Sequence, residues 1–129
     1  GKGGIGKSTI SANMAMYYAA RGDRVLLTGC DPKGDSTILV RDDSQKKTVL
    51  DTLAKGFNPE DPGDVIMSGR RNIDCIESGG PEPGLGCGGR GVSRTLEVFK
   101  ELDIIESGGY DVVIFDVLGD LVCGGFAMP

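Results

Sequence analysis

Apolar positions along this chain come in short blocks, and the spacing within each block separates helices from strands. From Ser8 to Ala20, Ile10, Met14 and Tyr17 recur at intervals of four and three, which predicts a helix with those residues on one face. Arg21-Gly22-Asp23 ends it, with Gly22 as the C-cap. Val25-Leu26-Leu27-Thr28 is a nearly continuous apolar run, as expected of a parallel strand covered on both faces. It leads into the loop Gly29 to Asp35. Thr48 followed by Asp51 resembles a capping box that opens a short helix through Leu50 and Leu53. The stretch from Phe57 to Arg71 is polar and rich in turn residues, with only a short helix expected near Val65. Ile73 to Ser78 reads as a strand. Val92 to Ile105 reads as a helix with Val92, Leu96, Phe99 and Leu102 on one face, and Val112 to Phe115 as a buried strand ending in Asp116. Alternating strands and helices predict an α/β fold, a parallel sheet with flanking helices. Ligands of such sheets sit at the carboxyl ends of the strands, where the loops containing Asp31, Cys87 and Asp120 should gather.

The first nine residues, Gly1-Lys2-Gly3-Gly4-Ile5-Gly6-Lys7-Ser8-Thr9, match the phosphate-loop pattern G-x-x-x-x-G-K-S/T without a gap. Glycines there let backbone N–H groups turn toward phosphates, and the following helix N-terminus adds positive potential. Lys7 is expected to reach the β- and γ-phosphates, and the Ser8 hydroxyl to bind Mg²⁺. Asp116, at the end of an apolar strand, is the candidate Walker-B carboxylate for the same ion. Asp31 and Asp120 are candidates to orient or activate the attacking water, and the sequence leaves the choice between them open. A phosphate loop normally follows a buried strand. The chain is therefore read as a fragment of a single P-loop NTPase domain over residues 1–129, with the first strand and the C-terminal half missing.

Bulk properties narrow the class. A formal charge of −5 without a Lys/Arg block argues against a nucleic-acid surface. No apolar run approaches the roughly 18 residues of a membrane span, so a cytoplasmic location without a membrane partner is expected.

The chain has four cysteines and no C-x-x-C pair. Cys87 lies in Gly86-Cys87-Gly88-Gly89, within a segment, 79–91, in which seven of thirteen residues are glycine, and Cys123 lies in Val122-Cys123-Gly124-Gly125. Glycine beside a cysteine lets backbone approach an inorganic cluster and aim N–H groups at its sulfurs. A cubane 4Fe–4S cluster needs four thiolates. Two from each subunit of a twofold homodimer would supply them, with the cluster on the axis. The competing reading is two unligated thiols in flexible loops. Cys30 is expected to be a packed structural thiol and Cys75 a core residue. Asp120 and Cys123 are three residues apart, so a γ-phosphate that moves this segment moves a candidate ligand with it.

Lys2-Gly3-Gly4 resembles the deviant Walker-A ATPases, in which this second lysine reaches the partner subunit's nucleotide. Together with Gly29-Cys30-Asp31-Pro32-Lys33, the run Glu77 to Gly91, and Phe115-Asp116-Val117-Leu118-Gly119-Asp120 through Pro129, the chain resembles the nitrogenase iron protein family along essentially its whole length. The resemblance implies a homodimer bridging one 4Fe–4S cluster through Cys87 and Cys123. It implies MgATP binding, docking on a molybdenum–iron protein and delivery of single electrons from ferredoxin or flavodoxin. It places an arginine that some members have ADP-ribosylated at Arg90. Gly88-Gly89 after Cys87 is also a pattern of the chlorophyll-branch reductases, whereas Pro81-Glu82-Pro83-Gly84 and Arg90 point toward nitrogenase. The iron proteins of protochlorophyllide, chlorophyllide and nickel-tetrapyrrole reductases therefore remain as alternatives, as does, more remotely, a partition-type ATPase without a cluster. Residues 41–71 depart from the common nitrogenase pattern.

Overall fold

A computed structural model describes residues 7–30, 36–41, 47–79 and 88–116, with the backbone alone for residues 7, 8 and 88–93. Its elements in chain order are α1 (Lys7–Ala20), β1 (Val25–Gly29), α2 (Val49–Ala54), β2 (Met67–Ser68), β3 (Asp74–Glu77), α3 (Gly88–Glu101), α4 (Ile104–Ser107) and β4 (Val112–Asp116). One four-stranded sheet has the order β2-β3-β1-β4. β1 pairs in parallel with β3 and with β4, while β2 pairs antiparallel with β3.

The parallel α/β fold expected from the pattern is present, with one addition. The short helix expected near Val65 is a single-turn 3₁₀ helix, Pro62–Asp64, and the addition is β2, followed by a second 3₁₀ turn at Arg70–Asn72. A two-residue strand carries too little periodicity to be visible in sequence. α3 starts at Gly88, four residues before Val92, and the expected helix to Ile105 divides into α3 and α4 around Asp103, whose φ is 52°. A left-handed residue breaks a helix without needing a glycine.

β1 is buried along its whole length. Alternate residues serve opposite layers. Val25 and Leu27, with Cys75, Val112 and Ile114, pack beneath Ala12 and Ala15 of α1. Leu26, with Ile76 and Val113, packs against Val98, Phe99 and Ile104 of α3 and α4 and against Val49 of α2. Both faces of the sheet are thereby covered, which explains why its strands read as unbroken apolar runs.

The face of α1 differs from the one the large residues suggest. Ile10, Met14 and Tyr17 are 62%, 44% and 60% exposed, while Ala12 and Ala15 are buried. Ser11, Ala12, Ala15 and Ala19 repeat at helical spacing, and these small side chains let the helix lie close on the strands. Its C-terminus closes as expected: Gly22, at φ +93°, donates its N–H to Ala19 O (3.0 Å), and Asp23 N–H donates to Tyr18 O (3.1 Å), a Schellman motif. Thr48 caps α2 by accepting from Asp51 N–H at 3.1 Å.

At the amino-terminal edge of the sheet a polar clamp joins three segments. Arg24 lies over the Tyr110 ring, 4.9 Å from its centroid, and its Nε donates to Gly108 O. The Tyr110 hydroxyl donates to Asp74 Oδ2 at 2.6 Å. Burial, then the hydrogen bond to Asp74 and its charge, push the Tyr110 hydroxyl above its ordinary value. A raised pKa makes the neutral tyrosine's contribution complete below about pH 10, the unfolded value, and progressively lost above it. Tyr110→Phe should cost about 1 kcal/mol at neutral pH. In urea titrations the gap between wild type and variant should shrink above about pH 10; a gap constant with pH would contradict the assignment.

Gly29 faces Glu77 across the β1–β3 register, and a Cβ there would run into Ser36 and the Glu77 carboxylate. Gly29→Ala should therefore destabilise the fold by about 1–3 kcal/mol, seen as a lower urea midpoint. An unchanged midpoint would mean that this junction is loosely packed.

Candidate functional site

α1 precedes β1 through a tight turn and α3 precedes β4, so both helices run antiparallel to the strands they cover. Their amino termini therefore point toward the edge where β1, β3 and β4 end. A helix N-terminus carries roughly half a positive charge, so two such termini on opposite faces make this edge favourable for anions.

The strand ends are locked together there. Cys30 N–H donates to Asp116 O (3.2 Å), and Ser78 N–H donates to Gly29 O (2.9 Å). Leu50 N–H in the first turn of α2 donates to Ser78 O (3.1 Å). Asp116, opposite Gly29 in the register, is 2% exposed. Asp116 thus ends its strand at the edge where ligands of parallel sheets sit. A small hollow lies between these ends and α3, lined by Thr28, Cys30, Ser78, Thr95 and Phe115.

Lys7 and Ser8 open α1, and Thr9 on its first turn is exposed. Arg90 lies in the first turn of α3. Gly1, Lys2, Gly3, Gly4, Ile5 and Gly6 lie outside the described residues, as do Asp31, Cys87, Asp120 and Cys123. Among the described residues, no group of three His, Cys, Asp or Glu side chains gathers to hold a metal ion. No helix among them is long and apolar enough to cross a membrane.

The two described cysteines behave as the pattern suggests. Cys30 is 4% exposed and Cys75 fully buried. Burial, reinforced by Glu77 and Asp74, pushes the Cys75 thiol up to about 12. A thiol held protonated is neither a nucleophile nor a metal ligand. With Cys75 in the core and Cys30 enclosed at the end of β1, Cys87 and Cys123 are the thiols left for a cluster. Two per chain match the arithmetic of a cubane shared by two subunits. α3 begins at Gly88, directly after Cys87, and its N-terminus favours an anionic thiolate cluster at that point. The residues fit the group.

The structure also brings together residues that the motifs do not single out. Glu77 is fully buried, and its Oε2 accepts from Thr37 N–H (2.6 Å), from Thr37 Oγ1 (2.7 Å) and from Arg41 Nη1 (3.5 Å). Arg41 Nη1 also donates to Thr37 Oγ1 (3.3 Å). The ion-paired side chains are 3% and 0% exposed. A charge within the otherwise apolar run Cys75-Ile76-Glu77 was the available signal, since buried charges persist only when paired.

A model of the 4Fe-4S iron sulfur cluster binding proteins, NifH/frxC family, matches residues 1–129. The chain belongs to this family. Solved structures share the fold of this NifH/frxC member. Protein DIP2308 from Corynebacterium diphtheriae is 25% identical with a TM-score of 0.53, over 92% of this chain and 51% of that one. The MinD cell division protein of Aquifex aeolicus is 23% identical with a TM-score of 0.56, over 92% and 44%. Cobyrinic acid a,c-diamide synthase from Mycobacterium smegmatis, with bound ADP and magnesium, is 24% identical with a TM-score of 0.54, over 89% and 46%. The last two are likenesses of fold alone. The chain spans about half the length of the structures it matches or less.

Cys75 should resist iodoacetamide at pH 8 in the folded protein and react once urea unfolds it. Native-state alkylation at the rate of an exposed thiol, located by peptide mass mapping, would contradict its burial.

Proposed function

We propose that this chain is the nucleotide-binding portion of an ATP-dependent electron-transfer protein, the reductase component that serves a molybdenum–iron protein in nitrogen fixation. The observation that carries the proposal is the family match along all 129 residues, combined with an unbroken phosphate loop and two cysteines set in glycine-rich loops. Residues 1–129 form part of a single P-loop domain of the deviant Walker-A type.

In this reading Gly1 to Gly6 wrap the phosphates with backbone N–H groups, and Lys7 holds the β- and γ-oxygens. Ser8 and Asp116 hold Mg²⁺, in keeping with the ADP and magnesium named for the cobyrinic acid a,c-diamide synthase structure. Lys2 reaches the nucleotide of the partner subunit in a homodimer. Asp31 or Asp120 positions the water that attacks the γ-phosphate. Cys87 and Cys123 of both subunits hold the 4Fe–4S cluster, which when bound supplies one-electron transfer. Asp116 ends β4 and Cys123 follows it by seven residues in sequence, so side chains that respond to the nucleotide and side chains that hold the cluster are joined through a few residues of backbone. Ferredoxin or flavodoxin is the donor, and the protein works in the cytoplasm. Arg90, in the first turn of α3 beside Cys87, is the candidate for ADP-ribosylation at the docking face.

A second reading keeps the same machinery and changes the partner. Gly88-Gly89 after Cys87 is also a pattern of the iron proteins that serve protochlorophyllide and chlorophyllide reductases, and the iron protein of a nickel-tetrapyrrole reductase belongs to the same alternative. Both readings make one experiment informative. Cys87→Ala and Cys123→Ala, in the full-length protein prepared without oxygen, should each lose nearly all bound iron while the affinity for MgATP stays within about twofold of wild type. Iron retained in both variants would overturn the cluster assignment.

A further inference from the structure

Glu77 closes β3, and Ser78 and Gly79 lead from it toward Cys87. Thr37 and Arg41 belong to the turn that follows Asp35, on the chain leaving β1 through Asp31. These two stretches of sequence meet at one buried carboxylate. Among the described residues three donors converge on Glu77 Oε2, and two of them, the N–H and the hydroxyl of Thr37, lie within 2.7 Å. Stretching these bonds by about an ångström would take them out of hydrogen-bond range, so a shift of that size at Thr37 must either break them or carry Glu77 along. Water cannot substitute, because Thr37 and Glu77 are both fully buried. Glu77 is also held from the other side, where Gly29 has no room even for a Cβ, and Ser78 is bonded through its N–H to Gly29 and through its carbonyl to Leu50. The end of β3 and the Thr37–Arg41 turn therefore form one solid joint.

We propose that Glu77 is a positioning residue that transmits nucleotide occupancy from the Thr37–Arg41 turn to the end of β3, and so toward the connection that carries Cys87. This route is separate from the segment after Asp116, and in sequence the end of β3 precedes the other candidate cluster ligand, Cys87. It rests on the nucleotide-binding reading given above. Coupling of this kind requires a contiguous set of packed groups between the two places, and the Thr37–Glu77–Ser78 chain provides it.

Glu77→Gln would leave Arg41 in the interior without its counter-charge and endanger folding, so the informative substitution is Thr37→Val, with Thr37→Ser as the conservative rescue. The measurement is hydrogen exchange of peptides covering residues 36–41 and 74–79 in the full-length protein, with and without MgATP, alongside equilibrium dialysis of the nucleotide. In wild type, MgATP should slow exchange at least threefold in both peptides, with the same midpoint concentration. In Thr37→Val, which removes the hydroxyl bond to Glu77 and keeps the one from the backbone N–H, the response at 36–41 should persist, the response at 74–79 should fall at least twofold and the dissociation constant should stay within twofold. Thr37→Ser should restore both responses. Responses in Thr37→Val equal to those of wild type would overturn the proposal. So would wild-type midpoints that differ between the two peptides, a test that needs no variant. Wild-type protein that binds MgATP without responding at 74–79 would overturn it as well, whereas failure to bind MgATP at all would remove the nucleotide reading itself.

Discussion

Complete burial of β1 is the constraint on which the rest of the structure depends. A strand hidden on both faces and hydrogen-bonded on both edges has to be apolar, has to be short and has to end where polar chain can emerge. Val25 to Gly29 meets these conditions, with β3 on one side and β4 on the other. Parallel pairing on both sides brings three strand ends to one edge. α1 and α3 must then return along opposite faces, which presents both helix amino termini to that same edge. The anion-favouring character of the site is thus a consequence of covering one strand twice.

Polar groups at that edge are bought with precise packing. Asp116, Thr28 and Ser78 are buried beside the strand ends, and Glu77 lies within reach of Thr37 and Arg41. An ion pair this deep contributes little net stability when intact, yet losing one partner typically costs about 3–5 kcal/mol. It therefore fixes geometry more than it stabilises. The absence of a side chain at Gly29 belongs to the same arrangement, since it is what admits the Glu77 carboxylate beside β1. At the opposite edge, the clamp of Arg24, Asp74 and Tyr110 does a purely structural task.

Membership in the NifH/frxC family accounts for the pairing of a phosphate loop with unusual cysteines. The two described thiols are both buried. Cys75, pushed up to about 12 by burial, and Cys30, enclosed at the end of β1, serve packing. Cys87 and Cys123 sit in glycine-rich sequence that can come close to a cluster. Chemistry and core are kept apart along the chain, and the junctions between them are the few residues that follow each strand.

The sequence by itself determined the phosphate-loop motif, the alternation of strands and helices, the position of Asp116 at the end of its strand and the burial of Cys30 and Cys75. Each of these rests on local spacing or on glycine content, which a linear reading can see. Tertiary structure alone decided the rest. The buried face of α1 belongs to Ala12 and Ala15 rather than to Ile10, Met14 and Tyr17, because close approach to a sheet selects small residues and side-chain size along one helix does not reveal the distance to its neighbour. β2 exists only because β3 offers it an edge. Asp103 separates α3 from α4 with a backbone angle that its residue type tolerates but does not announce. The meeting of Glu77 with Thr37 and Arg41 spans about forty residues of chain and is set by the parallel register of β1 and β3, so no short-range pattern could foretell it.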